Sequence, residues 1–360
     1  MLRTGYQEMD KILILGAGQM GTALTVPLCQ NKQEVNLWGT EFDAEVLETM
    51  ARTGQHIRLG IGLPRCVNLF SAPELEKACQ NADFVVLAVA SSAIRSVTQR
   101  LVPFIKDGMI IVNIAKGLEE DPRTGHIVTM VDVIESELSE TLPGRNPIVT
   151  IGGPAIAKGV AEGVPTEAVL ASKDLAAARH CQQILTTPVY RMKVTTDVTG
   201  VGLCAALKNA FAVAMGFCDG LEDKTGVRVK MHNAKAALLS EAVAELSTIV
   251  KAMGGKEKTV FGPAGIGDLY VTALGGRTCS FGKMIGGGMS TEQALEEMKN
   301  RHQTVETYPA AKAAYRLAET LSKNGKLNMG DLPLLTQVHA VLFEGKDAEA
   351  AVSDSFAALR

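Results

Sequence analysis

The sequence predicts an α/β fold, in which an N-terminal Rossmann-type, doubly wound and mostly parallel sheet is followed by an all-α C-terminal domain. Short apolar runs alternate with helical patterns from residue 11 to about 195, a glycine-rich turn follows the first run, and Ala-rich helical periodicity dominates after residue 197. Because 360 residues exceed one ordinary core, we expect two domains, an N-terminal one over 1–196 and a helical one over 197–360.

Six apolar runs in the first half predict strands, and most lack polar alternation, as expected when helices cover both faces of a sheet. These runs are 11–15, 34–38, 84–89, 109–113, 148–151 and 167–170. After Asp197, an expected N-cap, helical periodicity covers 234–253, 291–299 and 310–322. The polar stretch 221–232 predicts a loop between two helices.

Composition narrows the class of protein. The chain is 46% hydrophobic and 21% charged, with a net charge of −3 and 4% aromatic residues. It has neither the basic stripe nor the stacking surface of a nucleic-acid partner. Seven cysteines without C-x-x-C spacing indicate reduced thiols in the cytoplasm better than a disulfide frame or a metal site. A polar start without an apolar h-region predicts no signal peptide.

A dinucleotide fingerprint opens the fold. The stretch KILILGAGQMGTAL sets Gly16, Gly18 and Gly21 after an apolar strand and at the start of a helix. The first glycine permits a tight turn, the second lets the backbone reach a pyrophosphate, and the third allows close helix packing. Gln19 and Met20, between these glycines, are expected to contact the cofactor.

The end of the second strand predicts which cofactor binds. Glu41 follows that strand, and a carboxylate there accepts a hydrogen bond from the ribose 2′-hydroxyl of NAD. No Arg or Lys that would accommodate the 2′-phosphate of NADP lies between residues 35 and 51. NAD is therefore the favoured cofactor, with NADP possible.

A single charge interrupts the apolar stretch GVGLCAALKNAFAVAMGFC, residues 200–218. That charge is Lys208. Burying an unpaired ammonium costs several kcal/mol unless it loses its proton or finds a partner, although a lysine can also lift its charge into water. The stretch is long enough to span a bilayer, but Lys208 and Asn209 at its centre favour a buried helix and no membrane span.

Several stretches together resemble one family. GAGQMGTAL, NIAKGLE, IGGPAIAKGVAEGVPT, CAALKN, FGPAGIGDLYVTALGGRTCSFG and TVETYPAAKAAY follow one another in the order and spacing typical of bacterial NAD(P)-dependent glycerol-3-phosphate dehydrogenases. The resemblance runs from residue 11 to the end. It implies hydride transfer between a nicotinamide ring and carbon 2 of dihydroxyacetone phosphate, a small phosphorylated substrate, in glycerophospholipid metabolism. A homodimer is possible.

The resemblance also implies roles for individual residues. Three residues match catalytic ones: Lys208 the catalytic lysine, Asp268 the aspartate that pairs with it, and Lys116 a second lysine that reaches the substrate and the cofactor. The residues matched to the substrate site are Asn209, Thr272, Arg277 and Thr278. Arg277 and Glu306 match residues at the cofactor, Glu306 near the nicotinamide. A ketone that accepts hydride becomes an alkoxide, so such a site needs a proton donor and fixed positive charge.

The chain departs from the family where phosphate is bound. The family usually has Arg-Asn-Arg, whereas this chain has Arg277, Thr278 and Cys279. Other departures lie at 90–92, at 155, at 241 and in the longer loop 221–232. We therefore expect retained chemistry and an altered substrate pocket.

Three other functions compete with this one. A dehydrogenase of another polyol phosphate would suit the altered pocket. A non-catalytic NAD-binding regulator would need none of Lys208, Asp268, Thr272 and Arg277. A β-hydroxyacid dehydrogenase would need Lys-x-x-Asn, but residue 211 is Phe.

Overall fold

The computed structural model describes residues 9–139, 144, 146–225 and 230–358. It divides the chain into two units, the first comprising residues up to 116, 130–151 and 155–198, and the second comprising 117–129, 152–154 and 199 onward. Two short segments from the first half, 117–129 and 152–154, belong to the second unit. The domain boundary after residue 196 stays a prediction. The start on which the signal-peptide prediction rests, residues 1–8, lies outside the described residues.

The secondary structure alternates in the first half and is helical in the second. The strands are β1 (Lys11–Leu15), β2 (Glu34–Trp38), β3 (Val67–Phe70), β4 (Phe84–Leu87), β5 (Ile110–Asn113), β6 (Leu118–Glu120), β7 (Ile127–Thr129), β8 (Ile148–Gly152), β9 (Thr166–Ala171) and β10 (Tyr190–Thr195). The helices are α1 (Gln19–Gln30), α2 (Ala44–Thr53), α3 (Leu75–Ala78), α4 (Ile94–Leu101), α5 (Met130–Ser139), α6 (Ala157–Glu162), α7 (Leu175–Leu185), α8 (Val198–Thr225), α9 (His232–Ala252), α10 (Glu257–Val260), α11 (Asp268–Ala273), α12 (Gly276–Gly286), α13 (Thr291–Asn300), α14 (Thr307–Lys323), α15 (Pro333–Glu344) and α16 (Ala348–Ala358).

Eight strands form the sheet of the first unit, in the order β10-β9-β8-β5-β4-β1-β2-β3. β1 lies between β4 and β2 and is parallel to both, with Ile12 opposite Phe84 on one side and Val35 on the other. All three of these side chains are almost fully buried. A strand without polar alternation is explained by burial on both faces, and the predicted mostly parallel sheet is confirmed.

The six predicted strands are present with small changes at their ends. Four further strands were not predicted. Two of them, β3 and β10, are the outermost strands of the sheet. The other two, β6 and β7, pair antiparallel as a hairpin in the second unit.

The second unit is built around α8, and apart from the hairpin its described residues contain no strand. The three predicted helices correspond to α9, α13 and α14, and α8 begins directly after Asp197. The predicted loop 221–232 is wrong at its start, because α8 continues to residue 225. Residues 226–229 of that prediction lie outside the described residues.

Glycines bring α8 and α12 into close contact. A Cβ on Gly216 would lie 2.7 Å from the carbonyl oxygen of Cys279, and a Cβ on Gly286 would lie 2.1 Å from that of Phe217. Only glycine permits backbones to approach this closely. The contact fixes α12, which carries Arg277 and Thr278 near its start, against the helix that carries Lys208.

Within the described residues, one helix is long and apolar enough to cross a membrane. That helix is α8, and 89% of its most apolar window is buried inside the protein. It therefore has the burial expected of a core helix.

One pair of the seven cysteines lies close together. Cys29, near the end of α1, and Cys66, just before β3, have their Cα atoms 6.0 Å apart, which is within the range that a disulfide spans. Separation by 37 residues hid this proximity from spacing rules. The other five cysteines form no disulfide and are buried.

Candidate active site

The turn between β1 and α1 has the shape of a dinucleotide cradle. Gly16 has a φ of +114°, and a Cβ there would lie 2.7 Å from the Ala88 carbonyl oxygen. A Cβ on Gly21 would lie 2.1 Å from the Gly16 carbonyl oxygen, whereas a Cβ on Gly18 would meet no atom within 4 Å. The backbone is therefore closed on the protein side and open at Gly18, as a pyrophosphate requires.

The first turn of α1 adds an anion-binding helix end to this cradle. Gln19 and Met20 are its first residues, as the sequence predicts, and no side chain among the described residues caps the helix at Gly18. Its N–H groups and the helix dipole favour a negatively charged group. The residues present therefore fit the pyrophosphate of a nicotinamide dinucleotide.

A short helical turn, Glu41–Asp43, follows β2. Thr40 and Asp43 form its capping box, in which the Thr40 N–H donates to Asp43 Oδ2 at 2.8 Å. The hydrogen bond from its own backbone N–H, and then Arg100, lower the pKa of Glu41. This charged carboxylate lies at the position where the sequence predicts a ribose contact.

Arg100, from α4, is the feature of this end that sequence reasoning missed. Its Nη1 lies 3.1 Å from Glu41 Oε1, and its guanidinium carbon lies 5.0 Å from the ring centroid of Trp38. A search between residues 35 and 51 could not find a cation that reaches Glu41 from 59 residues further along the chain.

Lys116 is the last residue of the first of the three segments that form the first unit. It is half-buried and follows the carboxyl end of β5, the edge of a parallel sheet at which ligands bind. Its position on the fold agrees with the predicted one. Its contacts with substrate and cofactor stay a prediction.

In the second unit, Lys208 and Asp268 form a buried ion pair. Lys208 Nζ lies 2.6 Å from Asp268 Oδ1, and the two side chains are 13% and 1% exposed. The pair answers the problem posed by a charge in an apolar helix, because the carboxylate compensates the ammonium where water does not. The small remaining exposure is on the lysine side chain, whereas the aspartate side chain is almost completely enclosed.

A tight turn before α11 positions Asp268. Residues Pro263–Gly267 form a π-helical turn, and a Cβ on Gly265 would lie 2.0 Å from the Val260 carbonyl oxygen. One turn after Asp268, Thr272 Oγ1 donates to the Asp268 carbonyl oxygen at 2.6 Å. The Thr272 hydroxyl proton is thus used within α11, which leaves its oxygen as an acceptor for a substrate.

A directed chain of hydrogen bonds orients Asn209. Thr307 Oγ1 donates to Thr278 Oγ1 at 3.1 Å, and Thr278 Oγ1 donates to Asn209 Oδ1 at 3.1 Å. Asn209 Nδ2 in turn donates to Glu306 Oε2 at 3.4 Å. Asn209, Thr278 and Thr307 are all buried. Asn209 therefore has one amide orientation.

Arg277 joins the same group of residues from its exposed side. Its Nη2 donates to Glu306 Oε1 at 2.9 Å, and its Nη1 donates to Thr304 Oγ1. The Arg277 side chain is 50% exposed. Thr304 and Thr307 were not predicted as site residues, because hydroxyl side chains at a helix start are also ordinary caps.

The two units carry complementary chemistry. The first holds a glycine cradle and a ribose-end carboxylate, and the second holds a buried lysine–aspartate pair beside an oriented amide and a half-exposed arginine. Among the described residues, no group of three or more His, Cys, Asp or Glu is arranged to hold a metal ion. Fold and site together define a dehydrogenase that uses a nicotinamide dinucleotide.

Comparison with known proteins identifies the family. Residues 11–178 match the N-terminal model of the NAD-dependent glycerol-3-phosphate dehydrogenases, and residues 197–353 match the C-terminal model. The NADP(+)-dependent glycerol-3-phosphate dehydrogenase of Archaeoglobus fulgidus is 37% identical over 94% of this chain and 96% of its own length. The glycerol-3-phosphate dehydrogenase [NAD(P)+] of Fusobacterium nucleatum is 36% identical over 96% of each chain.

A solved structure agrees with this. The crystal structure of glycerol-3-phosphate dehydrogenase from Coxiella burnetii has a TM-score of 0.82 and 28% identity, covering 97% of this chain and 99% of that one. This chain therefore belongs to the NAD-dependent glycerol-3-phosphate dehydrogenase family, and the predicted family and enzyme class are confirmed.

Proposed function

We propose that the chain reduces dihydroxyacetone phosphate to sn-glycerol 3-phosphate with NAD(P)H, and catalyses the reverse oxidation, with Lys208 as the proton donor. The observation that carries this proposal is the 2.6 Å pair of Asp268 with Lys208, which is the only charged residue in the stretch 200–218 of α8. A sensor of nucleotides has no use for a buried ammonium supported in this way.

The reaction requires one hydride and one proton. When bound, the reduced nicotinamide cofactor supplies the hydride to carbon 2 of the ketone. As the carbonyl oxygen gains negative charge, Lys208 Nζ donates its proton to that oxygen, which gives the alcohol and leaves a neutral amine. Asp268 holds Nζ in place, and the charge of the ammonium stabilises the developing alkoxide before the proton moves.

Arg277 is the proposed phosphate contact. A guanidinium offers two parallel N–H donors that match two phosphate oxygens, and half of this side chain is exposed. Glu306 accepts one of its hydrogen bonds and so sets the orientation of the guanidinium. The substrate phosphate meets the half that Glu306 leaves accessible.

Thr278 acts on Asn209 rather than on the substrate in this proposal. Its hydroxyl donates to Asn209 and accepts from Thr307, so its proton is already used. Cys279 is also directed inward, since its Sγ donates to the carbonyl oxygens of Thr272 and Ala273. The departure from the usual Arg-Asn-Arg thus removes two phosphate donors and leaves Arg277.

This reduced donor set supports a second candidate substrate. A longer ketose phosphate would bring additional hydroxyl groups to a pocket that holds fewer phosphate donors. Dihydroxyacetone phosphate remains the first choice because Lys208, Asp268 and Arg277 are all present.

Two further properties belong to the proposal. The cytoplasm is the proposed location, since a nicotinamide cofactor must be available and five of the seven cysteines are buried outside any disulfide. A homodimer is the proposed assembly, and sedimentation velocity tests it directly.

A spectrophotometric panel tests the proposed function. NADH and NADPH oxidation is followed at a fixed wavelength with dihydroxyacetone phosphate, longer ketose phosphates and unphosphorylated ketones. We expect the highest kcat/KM with dihydroxyacetone phosphate. Preference for an unphosphorylated ketone would contradict the assignment of Arg277, and no oxidation with any ketone would contradict the enzymatic function.

A further inference from the structure

The end of β2 holds a cation and an anion within reach of one ligand group. Glu41, on the short turn after β2, and Arg100, on α4, are 61% and 38% exposed and lie 3.1 Å apart. Glu41 is the carboxylate with which Arg100 pairs among the described residues. The two side chains therefore form an accessible ion pair at the position where a dinucleotide places its ribose.

Trp38 holds the guanidinium of Arg100 at this position. The indole is fully buried as the last residue of β2, and its Nε1 donates to the Ala72 carbonyl oxygen at 3.2 Å. A guanidinium 5.0 Å from the ring centroid gains a cation–π attraction that does not depend on Glu41. Arg100 can therefore stay in place when the carboxylate moves away.

The two side chains recognise different forms of the ribose. A carboxylate accepts a hydrogen bond from the free 2′-hydroxyl of NAD and repels a 2′-phosphate, whereas a guanidinium matches the oxygens of a 2′-phosphate. Glu41 lies on a three-residue turn and is mostly exposed, so its side chain can rotate into solvent without disturbing the core.

We propose that Glu41 and Arg100 form a ribose-end switch through which this chain accepts both NAD(H) and NADP(H). In the NAD(H) complex, Arg100 holds Glu41 toward the 2′-hydroxyl. In the NADP(H) complex, the 2′-phosphate replaces the Glu41 carboxylate on the Arg100 guanidinium. The choice of ligand class rests on the proposed function.

Fluorescence of Trp38, the single tryptophan of the chain, measures both complexes without a ketone. The full-length protein is titrated separately with NADH and with NADPH. Arg100→Met should weaken NADPH binding by about tenfold or more, because it removes charge-assisted hydrogen bonds to the phosphate, and should change NADH binding by less than about threefold. Glu41→Gln should have the opposite effect, with weaker NADH binding and tighter NADPH binding.

Arg179→Met is the matched control. Arg179 is an exposed arginine on α7, which follows β9 near the other end of the sheet, and its loss removes the same charge from the same unit. It should change neither affinity. Equal weakening of both cofactors by Arg100→Met, or an unchanged affinity for NADPH, would overturn the switch.

The outcome is separable from that of the proposed function. If the opposite effects of the two variants are found but no ketone is reduced, the switch stands and the proposed reaction fails. If dihydroxyacetone phosphate is reduced but Arg100→Met leaves NADPH affinity unchanged, the reaction stands and the switch fails.

Discussion

Two lysines around helix α8 have mostly hidden side chains and pair with carboxylates. Lys208, in the middle of the helix, pairs with Asp268. Lys235, on α9, pairs with Asp219 at 2.5 Å and with Glu222 at 3.1 Å, both near the end of α8. The two lysines are similarly hidden, with 13% and 20% of their side chains exposed.

The surroundings of the two lysines differ. The difference separates an ion pair that only stabilises the fold from one that can take part in a reaction. Lys235 holds two carboxylates, and Lys230 adds a second cation at 3.0 Å from Glu222, so these charges satisfy one another where α8 and α9 meet. Lys208 pairs with Asp268 and lies next in sequence to Asn209, whose amide is oriented by neighbouring side chains. A buried lysine alone therefore does not indicate catalysis, whereas one beside oriented polar groups does.

The largest expected effect is on kcat, when Lys208 and Lys235 are each replaced by methionine. Lys208→Met should lower kcat by about a thousandfold, because it removes the proton donor and the fixed charge together. Lys235→Met should leave kcat within about threefold of wild type and lower the free energy of unfolding instead, since Glu222 stays buried with one partner fewer. Steady-state kinetics and urea unfolding of both variants provide the measurement, and equal losses of kcat would remove the distinction.

A second comparison concerns two arginines, Arg277 at the proposed phosphate site and Arg301 on the surface. Arg277→Leu should raise the KM for dihydroxyacetone phosphate by about tenfold to a hundredfold and lower kcat less, because charge-assisted hydrogen bonds to phosphate are lost. Arg301 pairs with Glu297 on α13 in an ordinary exposed arginine–glutamate contact, so Arg301→Leu is the control and should leave KM unchanged. If Arg277→Leu raised KM equally for unphosphorylated dihydroxyacetone, phosphate recognition would not be its role.

Replacement of Thr278, which orients Asn209, should have a smaller effect on kcat. Thr278→Val keeps the side-chain shape but removes the hydroxyl that fixes the Asn209 amide, so kcat should fall by about threefold to tenfold. Thr278→Ser restores the hydroxyl and should restore most of the activity. A serine variant as slow as the valine variant would indicate that the methyl group, through packing, is what matters.

The smallest expected effect is on stability in acid, and it concerns Glu222, the buried carboxylate beside Lys235. Burial alone would raise the pKa of Glu222, but hydrogen bonds from Lys230, from the Met231 N–H and from Lys235 lower it to about 2. Between its ordinary pKa of 4.5 and about 2, the unfolded state binds more protons than the folded state, so stability should fall as pH decreases.

Lys235→Met should make that fall shallower, because the pKa of Glu222 moves back toward its ordinary value. Unfolding free energies from urea titrations between pH 5 and pH 2 measure the two slopes. Parallel curves for the wild type and the variant would contradict the role given to Lys235.

Prediction from sequence succeeded where burial is two-sided and failed where it is not. The strands β1 and β4, central in the sheet, are continuous apolar runs and were predicted. The missed strands, β3 and β10, are the sheet edges, and β10 alternates buried and exposed residues over its first four positions. A search for apolar runs does not find edge strands, because they face water along one side.

The candidate site shows the same limit. Motif order brought Lys208, Asp268, Asn209 and Arg277 to attention, and the structure brings each of them into the second unit. Thr307 and Arg100 carry no local signal, since their roles depend on neighbours 29 and 59 residues away in sequence. Long-range packing, which spacing rules do not contain, decides such contacts.

The most direct measurement is chemical rescue of Lys208→Ala. In this variant, turnover of dihydroxyacetone phosphate should fall by about a thousandfold, and NADH affinity measured by Trp38 fluorescence should be unchanged. Added methylamine should restore activity in proportion to its concentration. Turnover within about threefold of wild type in the absence of amine would contradict Lys208 as the proton donor.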